Sequence, residues 1–174
     1  MVNESMIVDW SKSHNGLMLC TLEQASKLMP EVMPILAELQ PEMHWNNYYI
    51  DVKVHMLMPG QFPCIPNWHF DFLPRGEDGE RNGNERSDKK MYMWLSAAPL
   101  TLYKSTDGTE FTKPALEWHS FTQADMHRGQ VSEDHVWRCF IRIIPKCFLH
   151  TVTKNVGEVR RHIQVYCDSS KFRW

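Results

Sequence analysis

Apolar residues follow a helical period only near the start of the chain. Across residues 22–39 they recur three or four positions apart, which is typical of one face of an amphipathic helix. Thr21 and Gln24 have the form of a capping box, so the helix is predicted to begin directly after Thr21. Pro30 and Pro34 each remove a backbone N–H and clash with the preceding turn. The pattern therefore predicts a kinked or split helix.

From residue 48 the period changes to two. Residues 48–58 alternate as a strand does, and Pro59 and Gly60 then predict a turn. Further segments rich in β-branched and aromatic residues, separated by Gly, Pro, Asp and Asn, are residues 91–96, 100–104, 137–144, 147–153 and 159–166. Many short strands after one helical region predict a mainly β chain with an N-terminal helix, arranged as a barrel or a sandwich.

Length and composition indicate the number of domains, the class of partner and the state of the cysteines. The 174 residues, 43% of them hydrophobic, fit one core. We expect a single domain over residues 1–174, with helical support in residues 1–45 and a β-barrel in residues 46–168 that carries the site. A net charge of -2 does not favour nucleic acid as a partner. No apolar run has the length of a membrane span and no CxxC pair occurs, so we expect a cytoplasmic protein with reduced cysteines.

Candidate chemistry lies in residues 63–74, where His69 and Asp71 are two positions apart. On a strand these side chains point to the same side. An imidazole and a carboxylate supply two ligands, and a second imidazole from a distant strand completes a facial triad that leaves three metal positions open. His150, inside the apolar segment CFLHTV, is the best candidate for this third ligand. The less specific alternative is a structural hydrogen bond between His69 and Asp71.

Other histidines do not fit this pattern. His119, His127 and His135 recur every eight residues, a spacing that suits neither a helix face nor a short zinc site. We expect them to be solvated loop residues.

Two arginines follow His150 at the start of the last strand pattern. Arg160 lies ten positions after it and Arg161 is adjacent. A buried guanidinium needs an anion, and a carboxylate matches its geometry in a bidentate pair. Strand alternation alone allows either arginine to face inward.

Together, the HxD motif, a distal His and an Arg about ten residues further on resemble the Fe(II)/2-oxoglutarate-dependent oxygenases. The similarity is greatest to the prolyl-hydroxylase-like branch, in which a strand ending in Pro-Gly precedes the HxD motif, as residues 58–60 do here. The last strand of that branch reads Arg-x-x-Ile-x-Val, which matches Arg160, Ile163 and Val165.

This resemblance implies a double-stranded β-helix, which is a jelly-roll or cupin-like barrel. It implies Fe(II) on His69, Asp71 and His150, with 2-oxoglutarate and O2 as co-substrates. Arg160 rather than Arg161 would bind the far carboxylate of 2-oxoglutarate, assisted by Tyr92 or Tyr103. The oxidised substrate, a small molecule or a protein side chain, is not identified, and the oligomeric state stays open.

Two other functions compete with the oxygenase. The first is a cupin-like barrel that binds a small anionic or nucleotide ligand without redox catalysis, and the second is a metal-dependent isomerase or hydrolase, for which no additional base is evident. Residues 74–90 form a neutral polar segment, either a lid or a solvated loop. Trp68 and Trp94 are expected to border the site.

Overall fold

The computed structural model describes residues 8–13, 16–39, 43–73, 86–149, 158–160 and 165–167. The α-helices are α1 (Leu22–Leu28) and α2 (Met33–Ala37), and 3-10 turns span Trp10–Lys12, Pro30–Val32, Trp45–Asn47 and Lys146–Leu149. The strands are β1 (Gly16–Cys20), β2 (Tyr48–Leu57), β3 (Gln61–Phe62), β4 (Met91–Leu95), β5 (Thr101–Lys104), β6 (Glu110–Thr112), β7 (His119–Phe121), β8 (Met126–Gly129), β9 (Val136–Pro145), β10 (Glu158–Arg160) and β11 (Tyr166–Cys167).

The helical segment has the predicted cap and the predicted break. The backbone N–H of Thr21 donates to the Gln24 side chain at 2.9 Å, and the N–H of Gln24 donates to the Thr21 hydroxyl at 3.2 Å. Pro30 opens a 3-10 turn after α1, and Pro34 lies in the first turn of α2. Both prolines therefore occupy positions where the missing N–H costs little.

In the described part of the chain, the strands form three antiparallel sheets. Their orders are β10-β1-β2-β9-β4-β7, β6-β5-β8 and β11-β3. The longest pairing joins β2 to β9 without a register break, from Tyr48 opposite Pro145 to Leu57 opposite Val136. The helical pattern does not predict β1, which adds a strand from the N-terminal segment to the barrel sheet. The predicted strand at residues 147–153 is wrong at its start, because residues 147–149 lie in a 3-10 turn.

The strand order is that of a jelly roll. The backbone of His69 pairs with that of His127 in an isolated bridge, which places the His69 segment beside β8. If this segment counts as the second of eight barrel strands between β2 and β9, the two sheets have the orders 1-8-3-6 and 2-7-4-5. The predicted fold class, a mainly β jelly-roll barrel with an N-terminal helix, is confirmed.

Alternation along β2 and β9 separates two environments. One face packs against the helices in a hydrophobic core that includes Val52, Ile141 and Ile143, all of them buried. The opposite face points into the barrel and carries polar residues, namely Asp51, Lys53, His55, Arg138 and Arg142. A barrel interior with this many charged groups is not explained by packing alone.

Two simpler expectations concern the membrane and the thiols. Among the described residues, no helix is both long and apolar enough to cross a bilayer. All five cysteines have free thiols, as the absence of a CxxC pair predicted.

Candidate metal centre

Three side chains meet at one end of the barrel interior. One ligand atom each from His69, Asp71 and His127 lies within 4.8 Å of the other two. The two histidines face each other because their backbones exchange two hydrogen bonds of 3.0 Å, which brings their ring centroids to 4.5 Å. The backbone pairing of two barrel strands therefore fixes where both imidazoles lie.

The orientation of each imidazole follows from its Nδ1 atom. His69 Nδ1 lies 2.8 Å from the carbonyl oxygen of Asn67, and His127 Nδ1 lies 2.9 Å from that of Asp125. A carbonyl oxygen only accepts, so both Nδ1 atoms carry the proton and donate it. The Nε2 atoms then turn towards Asp71, at 3.7 Å from Oδ1 for His69 and 3.5 Å from Oδ2 for His127. This arrangement is typical of metal-binding histidines.

Arg142 on β9 positions the carboxylate of Asp71. Its Nη1 donates to Asp71 Oδ2 at 2.6 Å, and its Nη2 donates to Asp51 Oδ2 at 2.8 Å. The other oxygen of Asp51 accepts the backbone N–H of Leu19 at 2.8 Å. Burial raises the pKa of Asp71, but Arg142 and the two histidines outweigh burial, and the net pKa is well below its usual value. Asp71 is therefore an anion whose Oδ1 stays available to a ligand.

A cavity of about 210 Å³ adjoins the three ligands. Its apolar wall consists of Pro63, Ile65, Met93 and Phe140, and its remaining polar wall of Lys53, His55, Cys64, Thr101, Arg138, Arg142 and Tyr166. The cavity thus combines a cluster of metal-ligating groups with several cations.

Arg138 and His55 are buried in this wall without hydrogen-bond partners among the described residues. Arg138 is 2% exposed, and its guanidinium makes no ion pair or hydrogen bond within the described residues. Burial lowers its pKa to about 10. His55 lies directly opposite on β2, is 1% exposed, and has two unpartnered ring nitrogens in the described part of the chain. Burial, followed by the charges of Arg138 and Lys53, lowers the pKa of His55 to about 3. A polar ligand in the cavity would stabilise both groups.

The cluster contains a histidine that the sequence did not suggest as a ligand. His150 lies outside the described residues, so its role as the third ligand stays a prediction, and the third member of the described cluster is His127. The expectation that His127 is a solvated loop residue is wrong, because it is 3% exposed within β8. His119 is half-buried in β7 and bonds the Tyr103 hydroxyl at 3.1 Å, whereas His135 is exposed. The sequence contained one sign that pointed to His127. Arg138 follows His127 by eleven positions, which is close to the separation of about ten between the distal His and the Arg in the pattern described above.

Of the predicted co-substrate residues, only the two tyrosines have side chains in the described part of the chain, and neither lines the cavity. The backbone of Arg160 lies opposite Gly16 in the edge strand β10, its side chain is outside the described part, and Arg161 is outside it altogether. Tyr92 alternates with the inward Met91 and Met93, so it packs against the helical core. Tyr103 is buried against His119 and His127 behind the cavity wall. The predicted role of either tyrosine finds no support in this geometry.

The two tryptophans that were expected at the site differ in position. Trp68 is half-buried next to His69, and its ring lies 4.8 Å from the Arg128 guanidinium and 5.2 Å from the Lys104 ammonium. Trp94 is 4% exposed in the core below the helices, so the expectation that it borders the site is wrong.

Comparison with known proteins gives only distant structural likeness. No protein-family model and no curated protein matches this chain. Among solved structures, the chain is similar to a cupin-2 domain containing protein from Shewanella frigidimarina NCIMB 400, with 15% identity and a TM-score of 0.33 over 66% of this chain and 94% of that chain. The fold described above rests on the strand order of the chain itself.

Proposed function

We propose that the chain is a non-haem Fe(II)- and 2-oxoglutarate-dependent oxygenase whose metal ligands are His69, Asp71 and His127. The observation that carries this proposal is the donor set: two imidazole nitrogens and one carboxylate converge, and the remaining space opens into a cavity. Two histidines with one carboxylate and open positions are typical of oxygen-activating iron sites.

The three residues fit a cation. With the protons on Nδ1, each Nε2 presents a lone pair to a carboxylate oxygen, at 3.7 Å for His69 and 3.5 Å for His127. A cation between these acceptors would stabilise the arrangement. Arg142 binds Asp71 Oδ2, which favours the use of Oδ1 as the single carboxylate ligand.

Arg138 is the proposed anchor for the far carboxylate of 2-oxoglutarate. Arg138 lies on β9, the strand that follows the His127 strand β8 in the chain, and both residues line the same cavity. The Arg138 guanidinium is buried and has no carboxylate partner among the described residues. A bidentate carboxylate would satisfy the guanidinium, and neutral His55 opposite could add a hydrogen bond. The pair His127 and Arg138 thus replaces His150 and Arg160 in the proposed site.

Iron(II) at this site would supply oxygen activation, in which 2-oxoglutarate and O2 yield succinate and CO2 while one oxygen atom enters a substrate C–H bond. The chain's own residues orient the ligands and limit water. Met93 and Phe140 form the apolar wall beside the metal ligands. A volume of 210 Å³ corresponds to about seven waters at ~30 Å³ each, so it suits one small dicarboxylate. The oxidised substrate would then approach from outside the cavity.

One observation favours a second function, a cupin-like barrel that binds a small anion without redox catalysis. Lys53 and Arg138 form no ion pair with any described residue, and both would attract an anion whether or not a metal is present. Aerobic incubation with Fe(II), 2-oxoglutarate and ascorbate, which supplies the two electrons that a substrate C–H bond would otherwise give, separates the two proposals. The oxygenase converts 2-oxoglutarate to succinate, and Asp71→Ala abolishes that conversion. Tight anion binding without any succinate would support the second function instead.

A further inference from the structure

The cavity contains a cation that the proposed anchor does not require. Lys53 points into the barrel from β2, between Asp51 and His55 along the strand. Its cross-strand partner on β9 is Phe140, which lies between Arg142 and Arg138. Lys53 is therefore one inward-facing position, about 7 Å along the strand, from Asp51 on one side and from His55 on the other.

Lys53 has no carboxylate of its own in the described part of the chain. Both nearby carboxylates bond Arg142, at 2.6 Å for Asp71 and 2.8 Å for Asp51. Within the described residues, the Lys53 ammonium instead lies over the Phe140 ring, at 5.5 Å from its centroid. This cation–π contact offsets only part of the cost of removing a strongly hydrated ammonium from water, and an anion would offset more of it.

We infer that Lys53 and Arg138 together bind both carboxylates of one dicarboxylate, without the help of a metal. Lys53 and Arg138 are diagonal neighbours across β2 and β9, a separation of about 7–8 Å between their Cα atoms. Both side chains are long and line the same cavity, so their cations can reach two carboxylates that are separated by two or three carbons. The cavity takes one small ligand, so both cations contact the same molecule. The choice of a four- or five-carbon dicarboxylate rests on the proposed function.

Calorimetric titration of the metal-free protein in chelator tests this inference, with succinate as the dicarboxylate and butyrate as the monocarboxylate of equal length. Succinate should bind, and butyrate should bind at least about tenfold more weakly. Lys53→Met should weaken succinate binding about tenfold or more, which is the range for a charged hydrogen bond. Lys53→Arg keeps the charge and should restore part of that loss.

The matched control is Lys27→Met, which removes an exposed lysine that pairs with Glu23 on α1 and should leave succinate binding unchanged. The inference is overturned if the metal-free parent does not bind succinate, or if Lys53→Met binds it as the parent does. Succinate binding that depends on Lys53, without turnover of 2-oxoglutarate, would remove the oxygenase proposal and leave the two-cation site. Turnover of 2-oxoglutarate, combined with unchanged succinate binding in Lys53→Met, would remove the two-cation site and leave the oxygenase proposal.

Discussion

Two arginines on β9 face one cavity but should respond oppositely to the same substitution. Arg142 donates to two buried carboxylates, those of Asp51 and Asp71. Arg138 is buried with an unpartnered Nε and no ion pair among the described residues. Methionine replaces the aliphatic stem of either arginine and removes the charge, so the pair of variants compares a paired and an unpaired cation on one strand.

The magnitudes follow from burial and pairing. Burial lowers the pKa of Arg138 from 12.5 to about 10. Since Arg138 is charged in both the folded and unfolded states at pH 7, this shift costs the folded state roughly 3 kcal/mol at about 1.4 kcal/mol per unit. Lost stem packing offsets part of that gain. Arg138→Met should therefore raise the free energy of unfolding by roughly 1–3 kcal/mol, whereas Arg142→Met, which leaves buried carboxylates unpaired, should lower it by roughly 3–5 kcal/mol.

Urea denaturation of the metal-free, ligand-free protein at pH 7 measures both effects. If Arg138→Met lowered the free energy of unfolding by more than about 1 kcal/mol, Arg138 would be a structural cation with a partner of its own. Its assignment to the co-substrate would then fail. A stabilised Arg138→Met variant that no longer binds 2-oxoglutarate would show that the unpaired charge serves ligand binding at the expense of stability.

Three further predictions test other parts of the account. Arg138→Lys should weaken 2-oxoglutarate binding roughly ten- to a hundredfold while leaving the Fe(II) affinity unchanged, as measured by calorimetry, because lysine cannot form the bidentate pair; the same change at Arg160 tests the assignment made from sequence. His55→Leu should flatten the loss of stability on acidification. The pKa of His55 falls to about 3 on folding, so the unfolded state takes up the proton first and stability is lost as the pH drops from 6.5 towards 3. Urea unfolding at several pH values in that window should show a slope smaller by up to roughly 1.4 kcal/mol per pH unit. Gly129→Ala should destabilise the protein by about 1–3 kcal/mol, because the added Cβ would lie 2.8 Å from the backbone oxygen of Cys64; an unchanged thermal midpoint would contradict that close approach.

Element length explains which parts of the fold were predictable. The ten-residue strands β2 and β9 show a full period of two, and the capping box at Thr21 marks the start of α1. Strands β6, β7 and β8 have three or four residues each, too few for a clear period. The short strand β8 carries His127, so the third member of the cluster was assigned to a loop.

The site residues also divide into those that the sequence could predict and those that it could not. His69 and Asp71 are recognisable because the HxD spacing is local in the sequence. The pairing of His127 with them depends on a backbone bridge between segments 58 positions apart, 69 to 127. The inward direction of Arg138 likewise depends on which face of β9 meets the helices, and an alternating strand with apolar residues on both faces does not reveal that.

The most direct test of the proposed metal site is an anaerobic titration with Fe(II) and 2-oxoglutarate, followed by visible absorption, on the parent and on two histidine variants. The chelated complex gives a weak charge-transfer band. The parent and His150→Ala should develop this band, and His127→Ala should not, although all three remain folded. A band that persists in His127→Ala and disappears in His150→Ala would contradict the assignment of His127 as the third ligand.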